Sequence, residues 1–277
     1  MKKSLALLVS ILLLLTMLSG CGKPKEAAME AATEAAVAAS GEAEEVAADV
    51  AAANSGSAQS GDDSASAFYS AYMEAKSVVL NKITEGLTNN PDTLMSAMNY
   101  LGATLSDLYM LPAMYFGLGE TSVATALAMM GAKDVTYDEQ GNNYTVTYKN
   151  SDDLESKLVG TYDKGKSLVA VGSTGGKDNV FSEVYRTSFG YIGQFYYIAD
   201  DGTATLYQFA VNGADGAVSM TTGGARPAPL TGSESADFPK ASKEWFAISG
   251  TTITGVDSEG KQISFEYVPS ESGDNNG

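Results

Sequence analysis

Apolar residues recur along this chain with two periods. From residue 66 to 87, Phe68, Tyr72, Ala75, Val79, Ile83 and Leu87 fall three or four apart, the spacing of one helical face. Glu74, Lys76, Lys82 and Glu85 lie largely off it. Thr88-Asn89-Asn90-Pro91 interrupts the pattern. Asn90 then suits an N-cap, with Pro91 at the first helical position and Asp92 in the first turn. A second helix is expected to turn Leu94, Met98, Leu101, Leu105 and Leu108 inward until Pro112 ends or kinks it. A third is expected over residues 121–130, with Gly131 as its C′ residue.

After Asp134 the period drops to two. Val135 and Tyr137, then Tyr144, Val146 and Tyr148, alternate with polar neighbours around Gly141-Asn142-Asn143, a hairpin signal. Asp163-Lys164-Gly165-Lys166, Asp200-Asp201-Gly202 and Asp257-Ser258-Glu259-Gly260 each separate two further strand-like runs. About eleven short strands with close turns predict a large antiparallel meander, curved or partly closed. Residues 191–198 are apolar on both faces, as in a central strand covered on both sides. The fold class expected is therefore α+β, with N-terminal helices packed on a large curved antiparallel β meander. One domain spans residues 67–269, helical over 67–131 and strand-rich over 134–269, with a disordered tail over 270–277.

The N-terminal pattern is different again. Lys2 and Lys3 precede residues 5–18, which carry no charge. Fourteen residues of helix reach ~21 Å, short of the ~30 Å hydrocarbon core, so a signal-peptide h-region over residues 1–20 is expected rather than a membrane span. Residues 22–66 hold 16 Ala, nine acidic residues and no aromatic. Such a segment buries too little apolar area to offset its ordering entropy. Residues 21–66 are thus expected to be a disordered tether, transiently helical where Glu26, Glu30 and Glu34 repeat. As a coil it reaches roughly 35–40 Å, a spacer between a membrane and the domain. A partner-binding helix is the alternative for this stretch.

Leu18-Ser19-Gly20-Cys21 resembles the lipobox of bacterial lipoproteins. The resemblance implies diacylglyceryl transfer to the Cys21 thiol and cleavage before it. The expected location is then the extracytoplasmic face of the cell membrane or outer membrane, held by the lipid; no other cofactor is expected. A thioether suits a thiolate nucleophile, and two acyl chains hold where one is marginal. Gly22 stands where an Asp in Gram-negative lipoproteins implies inner-membrane retention. The expected folded domain, helices packed on a curved sheet of many strands, is loosely similar to LolA-like and lipocalin-like lipoproteins, although the helices of LolA-like proteins interleave with strands.

Composition narrows the chemistry. The chain has one Cys and no His, which excludes disulfides, Cys-based zinc sites and the usual His-dependent nucleophilic catalysis in the mature domain. The net charge of −17 disfavours nucleic acid and electrostatic adhesion to anionic lipid. Gly172-Ser173-Thr174-Gly175-Gly176-Lys177-Asp178 departs from a phosphate loop in spacing and lacks the final Ser or Thr. The Asp/Gly turns lack a calcium-loop pattern. Glu183, Glu244 and Glu266 fall in strand-like runs and alternate with apolar residues, as solvent-facing side chains do. The loop over residues 222–239, rich in Gly, Pro and Ser, is long enough to suggest gating or partner contact.

Seven methionines lie between Met73 and Met130. Met95, Met98, Met110 and Met114, close in sequence to Tyr115 and Phe116, form the candidate binding set for an apolar ligand, since such surfaces accept varied apolar shapes. The alternative is that they fill the core. The expected function is non-enzymatic binding of an apolar small molecule or an envelope protein by a membrane-anchored lipoprotein. A carboxylate-dependent hydrolase of envelope glycans and a structural surface module stand as alternatives.

Overall fold

The computed structural model describes residues 63–269, apart from the side chain of Leu105. Cys21, the h-region, residues 22–62 of the tether and the tail lie outside the described residues; the last tether residues are not disordered, since Ser64 caps the first helix and Ala65 and Ser66 are buried in it. The chain is α+β: helices come first, then an eleven-stranded antiparallel sheet.

Helix α1, Ala65–Thr88, starts where the Ser64 side chain accepts the Ala67 N–H. It buries Phe68, Tyr72, Val79, Ile83 and Leu87, the stripe that the spacing predicts. Asn90 accepts the Asp92 N–H and caps a 3-10 turn, Pro91–Thr93. Helix α2, Leu94–Leu105, follows. The α-helix stops well before Pro112; Ser106–Tyr115 continues as 3-10 helix with Pro112 inside it. Proline removes one backbone donor and crowds the carbonyl four residues back, and here it sits within a ten-residue 3-10 run, longer than such runs usually are. Helix α3, Glu120–Met129, ends before Gly131, whose φ of 89° closes the helix.

Helix α2 does not bury the face expected of it. Ser96, Ala97, Tyr100 and Ala103 are buried, whereas Leu94, Met98 and Leu101 are half-buried and Leu108 is exposed. The reason is steric. A Cβ at Gly102 would stand 2.3 Å from the Tyr207 hydroxyl, so the helix backbone rests on the tip of that side chain, and the buried residues on this side are small apart from the flat ring of Tyr100. The Tyr100 ring meets Phe246 edge-on at 5.4 Å.

The sheet runs β1 (Lys133–Gln140), β2 (Asn143–Lys149), β3 (Glu155–Asp163), β4 (Ser167–Thr174), β5 (Lys177–Arg186), β6 (Tyr191–Ile198), β7 (Ala204–Asn212), β8 (Asp215–Thr222), β9 (Glu244–Ser249), β10 (Thr252–Val256) and β11 (Gln262–Glu266). Each strand pairs with its neighbour in sequence. The turns carry the Asp and Gly that reversals require.

Register sorts the residues onto two faces. Tyr144, Gly160, Ala170, Ser182, Phe195, Tyr207, Met220 and Glu244 share one, the front. Side chains of the helical segment meet it at several points. Phe116 stacks on Tyr144 with centroids 4.9 Å apart. Tyr72 stands at Gly193, where a Cβ would lie 2.6 Å from its hydroxyl, and Val79 at Gly216. Phe68 and Tyr72 contact Tyr191. Glycine opposite each bulky side chain lets backbone and ring approach where any larger residue would collide.

The back face carries Phe181, Glu183 and Tyr185 on β5, Ile192, Gln194 and Tyr196 on β6, and Gln208, Ser219 and Trp245 beyond. Residues 223–243, between β8 and β9, cross it as a strap. The Tyr196 hydroxyl donates to the Gly224 carbonyl at 3.0 Å, and Gln194 Nε2 to the Ala228 carbonyl at 2.9 Å. Leu230 packs with Ile192 and Ala210, flanked by Tyr185, Phe189 and Phe238. The double-sided strand 191–198 therefore has apolar neighbours on both faces. The loop expected to gate or to contact a partner is fastened to the sheet at these points.

Candidate functional site

Among the described residues, Lys76, Glu183 and Glu244 mark three sites where a charged side chain is buried, and α2 carries apolar side chains away from its buried stripe. In the first, Lys76, expected largely off the apolar face of α1, falls between Ile83 and Leu87 on it, is 3% exposed and forms an ion pair with Asp107, whose side chain is 22% exposed. The Lys76 ammonium lies 4.8 Å from the Phe209 ring centroid and 5.9 Å from that of Tyr72, so two ring faces and one carboxylate replace its water. Burial raises the Asp107 carboxyl above its ordinary range, and Lys76 opposes the rise. Burial and Asp107 together push the Tyr69 and Tyr72 phenols well up. The pair joins α1 to the 3-10 helix Ser106–Tyr115.

The second is Glu183, expected to face solvent but 5% exposed. Its Oε2 accepts from Gln194 Nε2 at 2.6 Å and from the Leu230 N–H at 2.9 Å. The strap covers it, so alternation with apolar neighbours here marks a second buried face. The third is Glu244, likewise expected outside and 6% exposed. It sits at the front-face end of β9, facing α2. Burial raises its carboxyl above the ordinary value; the Asn99 side chain, by hydrogen bonding, opposes this, and Asp257 adds to it. Its Oε1 and the Tyr100 hydroxyl both lack a well-formed hydrogen bond among the described residues. Tyr207 closes the cluster by donating to the Asn99 carbonyl at 3.1 Å.

These carboxylates do not converge. Glu183 is on the back face of β5 and Glu244 on the front face of β9, with three strands between them. Glu266, on β11, is exposed and accepts from the Thr251 and Thr252 hydroxyls. A glycoside hydrolase needs two carboxyls flanking one bond, about 5–10 Å apart on one surface; two on opposite sides of a sheet do not meet that need.

The other candidates resolve into turns. Gly172-Ser173-Thr174-Gly175-Gly176-Lys177-Asp178 is the β4–β5 hairpin, with Gly175 and Gly176 at positive φ. Asp201 accepts from the Thr203 N–H, and Asp257 from the Glu259 and Lys261 N–H groups. Both carboxylates hold their turns. Among the described residues no group of three or more acidic residues is placed to hold a metal.

Met110, Met114, Tyr115 and Phe116 are buried along the 3-10 helix, Met98 is half-buried and Met95 is 66% exposed. Phe116 occupies the space above Gly160, where an added Cβ would lie 2.3 Å from its ring, and the backbone on either side is fixed because the Ser66 N–H donates to the Phe116 carbonyl and the Ser66 hydroxyl to that of Met114. Phe116 thus fills its space. A shallow cleft of about 450 Å³ lies elsewhere, between Asn89-Asn90-Pro91 and Phe265, Val268 and Pro269.

Among the described residues, exposed apolar side chains stand singly or in pairs at Val78, Met129, Met130, Leu154, Val159 and Val268, and a further set lies on α2. At 3.6 residues per turn, Leu94, Met98 and Leu101 span about 60° of the helix, and their arc is centred roughly 160° from the buried Ser96–Tyr100–Ala103 stripe. Met95 borders this arc, and Leu108 and Tyr109 follow it in the chain, each at least 40% exposed. From residue 94 to 119 the single charged side chain is Asp107, which Lys76 engages. No protein-family model matches the chain, and no curated protein or solved structure matches it.

Proposed function

We propose that this chain is a lipid-anchored extracytoplasmic protein, held by a diacylglycerol on Cys21 at the cell membrane or outer membrane, and that its folded part is a non-enzymatic binding module. Helices packed on one side of a curved sheet serve as its platform. The anchor rests on Lys2, Lys3, the uncharged residues 5–18 and Leu18-Ser19-Gly20-Cys21. The observation that carries the binding role is the outward apolar face of α2. Met95 is exposed and Leu94, Met98 and Leu101 are half-buried where an ordinary helix places polar side chains. The separation of Glu183 from Glu244 favours binding over hydrolysis.

The experiment has two arms. Intact mass of the mature protein taken from membranes is expected to begin at Cys21 and to carry a diacylglyceryl group, which Cys21→Ser abolishes; an unmodified mature chain would refute the anchor. An environment-sensitive apolar dye is expected to bind the folded protein and to lose most of its signal with Leu101→Glu. Equal dye binding by the two proteins would refute the assignment to α2.

A further inference from the structure

We infer that the apolar face of α2 rests on the bilayer surface itself, so that the domain lies against the membrane on one defined side. The inference deepens the reading above and rests on its lipid anchor. Three observations choose lipid over other occupants.

The first is where the tether joins. The chain between Cys21 and the domain enters at Ser64, which caps α1, and the next turn is tied to the 3-10 helix through the Ser66 N–H and the Phe116 carbonyl. Attachment is thus on the helical segment that bears the apolar face. The 42 residues between Cys21 and Ser64 can span at most roughly 140–150 Å, and α2 with its 12 residues is about 18 Å long. The face is within reach of the anchored lipid.

The second is charge. A protein of net charge −17 is repelled by an anionic surface within about 8 Å at physiological salt. Residues 94–119 are the exception, because their one carboxylate is already paired with Lys76. Hydrocarbon and lipid headgroups demand no counter-charge from such a face, whereas a protein partner selected by this acidic chain would meet no charge here to guide it.

The third is the residue order. Met95, Met98, Leu94 and Leu101 form the centre, and Tyr109, 43% exposed, follows them in the chain, its ring tilted against that of Tyr197 with centroids 4.6 Å apart. An aromatic with a polar tip beside an aliphatic patch is the arrangement found at lipid–water boundaries.

The test places an indole at the most exposed position. Met95→Trp is made in the full acylated chain and reconstituted in phosphatidylcholine vesicles with brominated acyl chains. Trp245, on the back face of β9, remains as the internal reference. The added emission is expected to fall by half or more against unbrominated vesicles, while the wild-type emission is unchanged. Co-flotation with vesicles reports the anchor separately. Protein that fails to float overturns the anchor and this inference with it. Protein that floats without quenching overturns the bilayer contact alone. A blue-shifted, unquenched indole whose shift grows with protein concentration also overturns it, and assigns the face to a second copy of the chain or to another protein.

Discussion

Phe116 and Gly160 give the sharpest test of how the helical segment fits the sheet. Gly160 is not at positive φ, so alanine is compatible with its backbone. In isolation the change would stabilise by about 0.4–1 kcal/mol through the unfolded chain. The structure predicts the opposite sign. The new methyl would stand 2.3, 3.0 and 3.2 Å from three carbons of the Phe116 ring. That ring is fully buried and stacked on Tyr144, so it has nowhere to move without giving up contacts. Overpacking of this kind costs about 1–3 kcal/mol, leaving Gly160→Ala a net ~0.5–2 kcal/mol destabilising. Phe116→Leu alone costs ~1–2 kcal/mol as buried area and contacts are lost. Combined, the two should cost less than their sum by about 1 kcal/mol, because the methyl enters space the ring has left. Urea denaturation of the four proteins measures this coupling. Strict additivity, or a stabilised Gly160→Ala, would refute the close fit of Phe116 over β3.

Three further outcomes follow from the buried polar groups. Lys76→Met leaves the Asp107 carboxylate partly buried without its partner and is expected to cost ~3–5 kcal/mol; adding Asp107→Asn should recover most of that in chemical denaturation, and no recovery would show that Lys76 acts by packing alone. Burial raises the folded-state pKa of Glu244 above its ordinary 4.5, so the unfolded chain gives up this proton first and the group's contribution falls as pH climbs from about 4.5 through the raised value. Glu244→Gln should remove that part of the pH dependence and stabilise near pH 7; an unchanged slope in stability against pH refutes the assignment. Glu183→Ala leaves the Leu230 N–H without its acceptor, a loss of ~1–3 kcal/mol, and limited proteolysis should then cut within residues 223–243 well before the rest of the domain. Equal resistance in both proteins would show that the strap is held by its apolar contacts.

The parts of the fold that are legible in the sequence are those governed by neighbours. Hairpin turns such as Gly141-Asn142-Asn143 and Asp200-Asp201-Gly202 announce themselves because backbone reversal within a few residues limits the side chains allowed. The stripe of α1 is equally local. The face of α2 is not. Leu94, Met98 and Leu101 carry the periodic signal, yet contact distance at Gly102 and Tyr207, over a hundred residues away, decides which side turns in, and Ala97 and Ala103 are too small to register as a hydrophobic stripe. Alternation placed Glu183 and Glu244 correctly in strands but says nothing of which face is covered. When a strap closes one side of a sheet and a helix borders the other, a polar residue on either face is buried. The only written clue was the unusual length of the loop after β8.

That loop also has a kinetic meaning. In a meander every strand finds its partner by closing a short turn: β7 and β8 are separated by two residues, β5 and β6 by four. The pairing of β8 with β9 must close 21 residues, 223–243. With closure cost growing as 1.5RT ln n, this step is ~1.5 kcal/mol less favourable than closing four residues, roughly a tenfold slower encounter. The order of assembly is then built into the chain. Strands β1–β8 zip together locally, β9–β11 form as a separate antiparallel unit, and the two meet last, as the strap settles over Glu183. A chain still folding would hold an unpaired β8 edge until that late step. The Glu183–Leu230 contact is a clasp closed at the end of folding, and its absence would mark the species most exposed to aggregation.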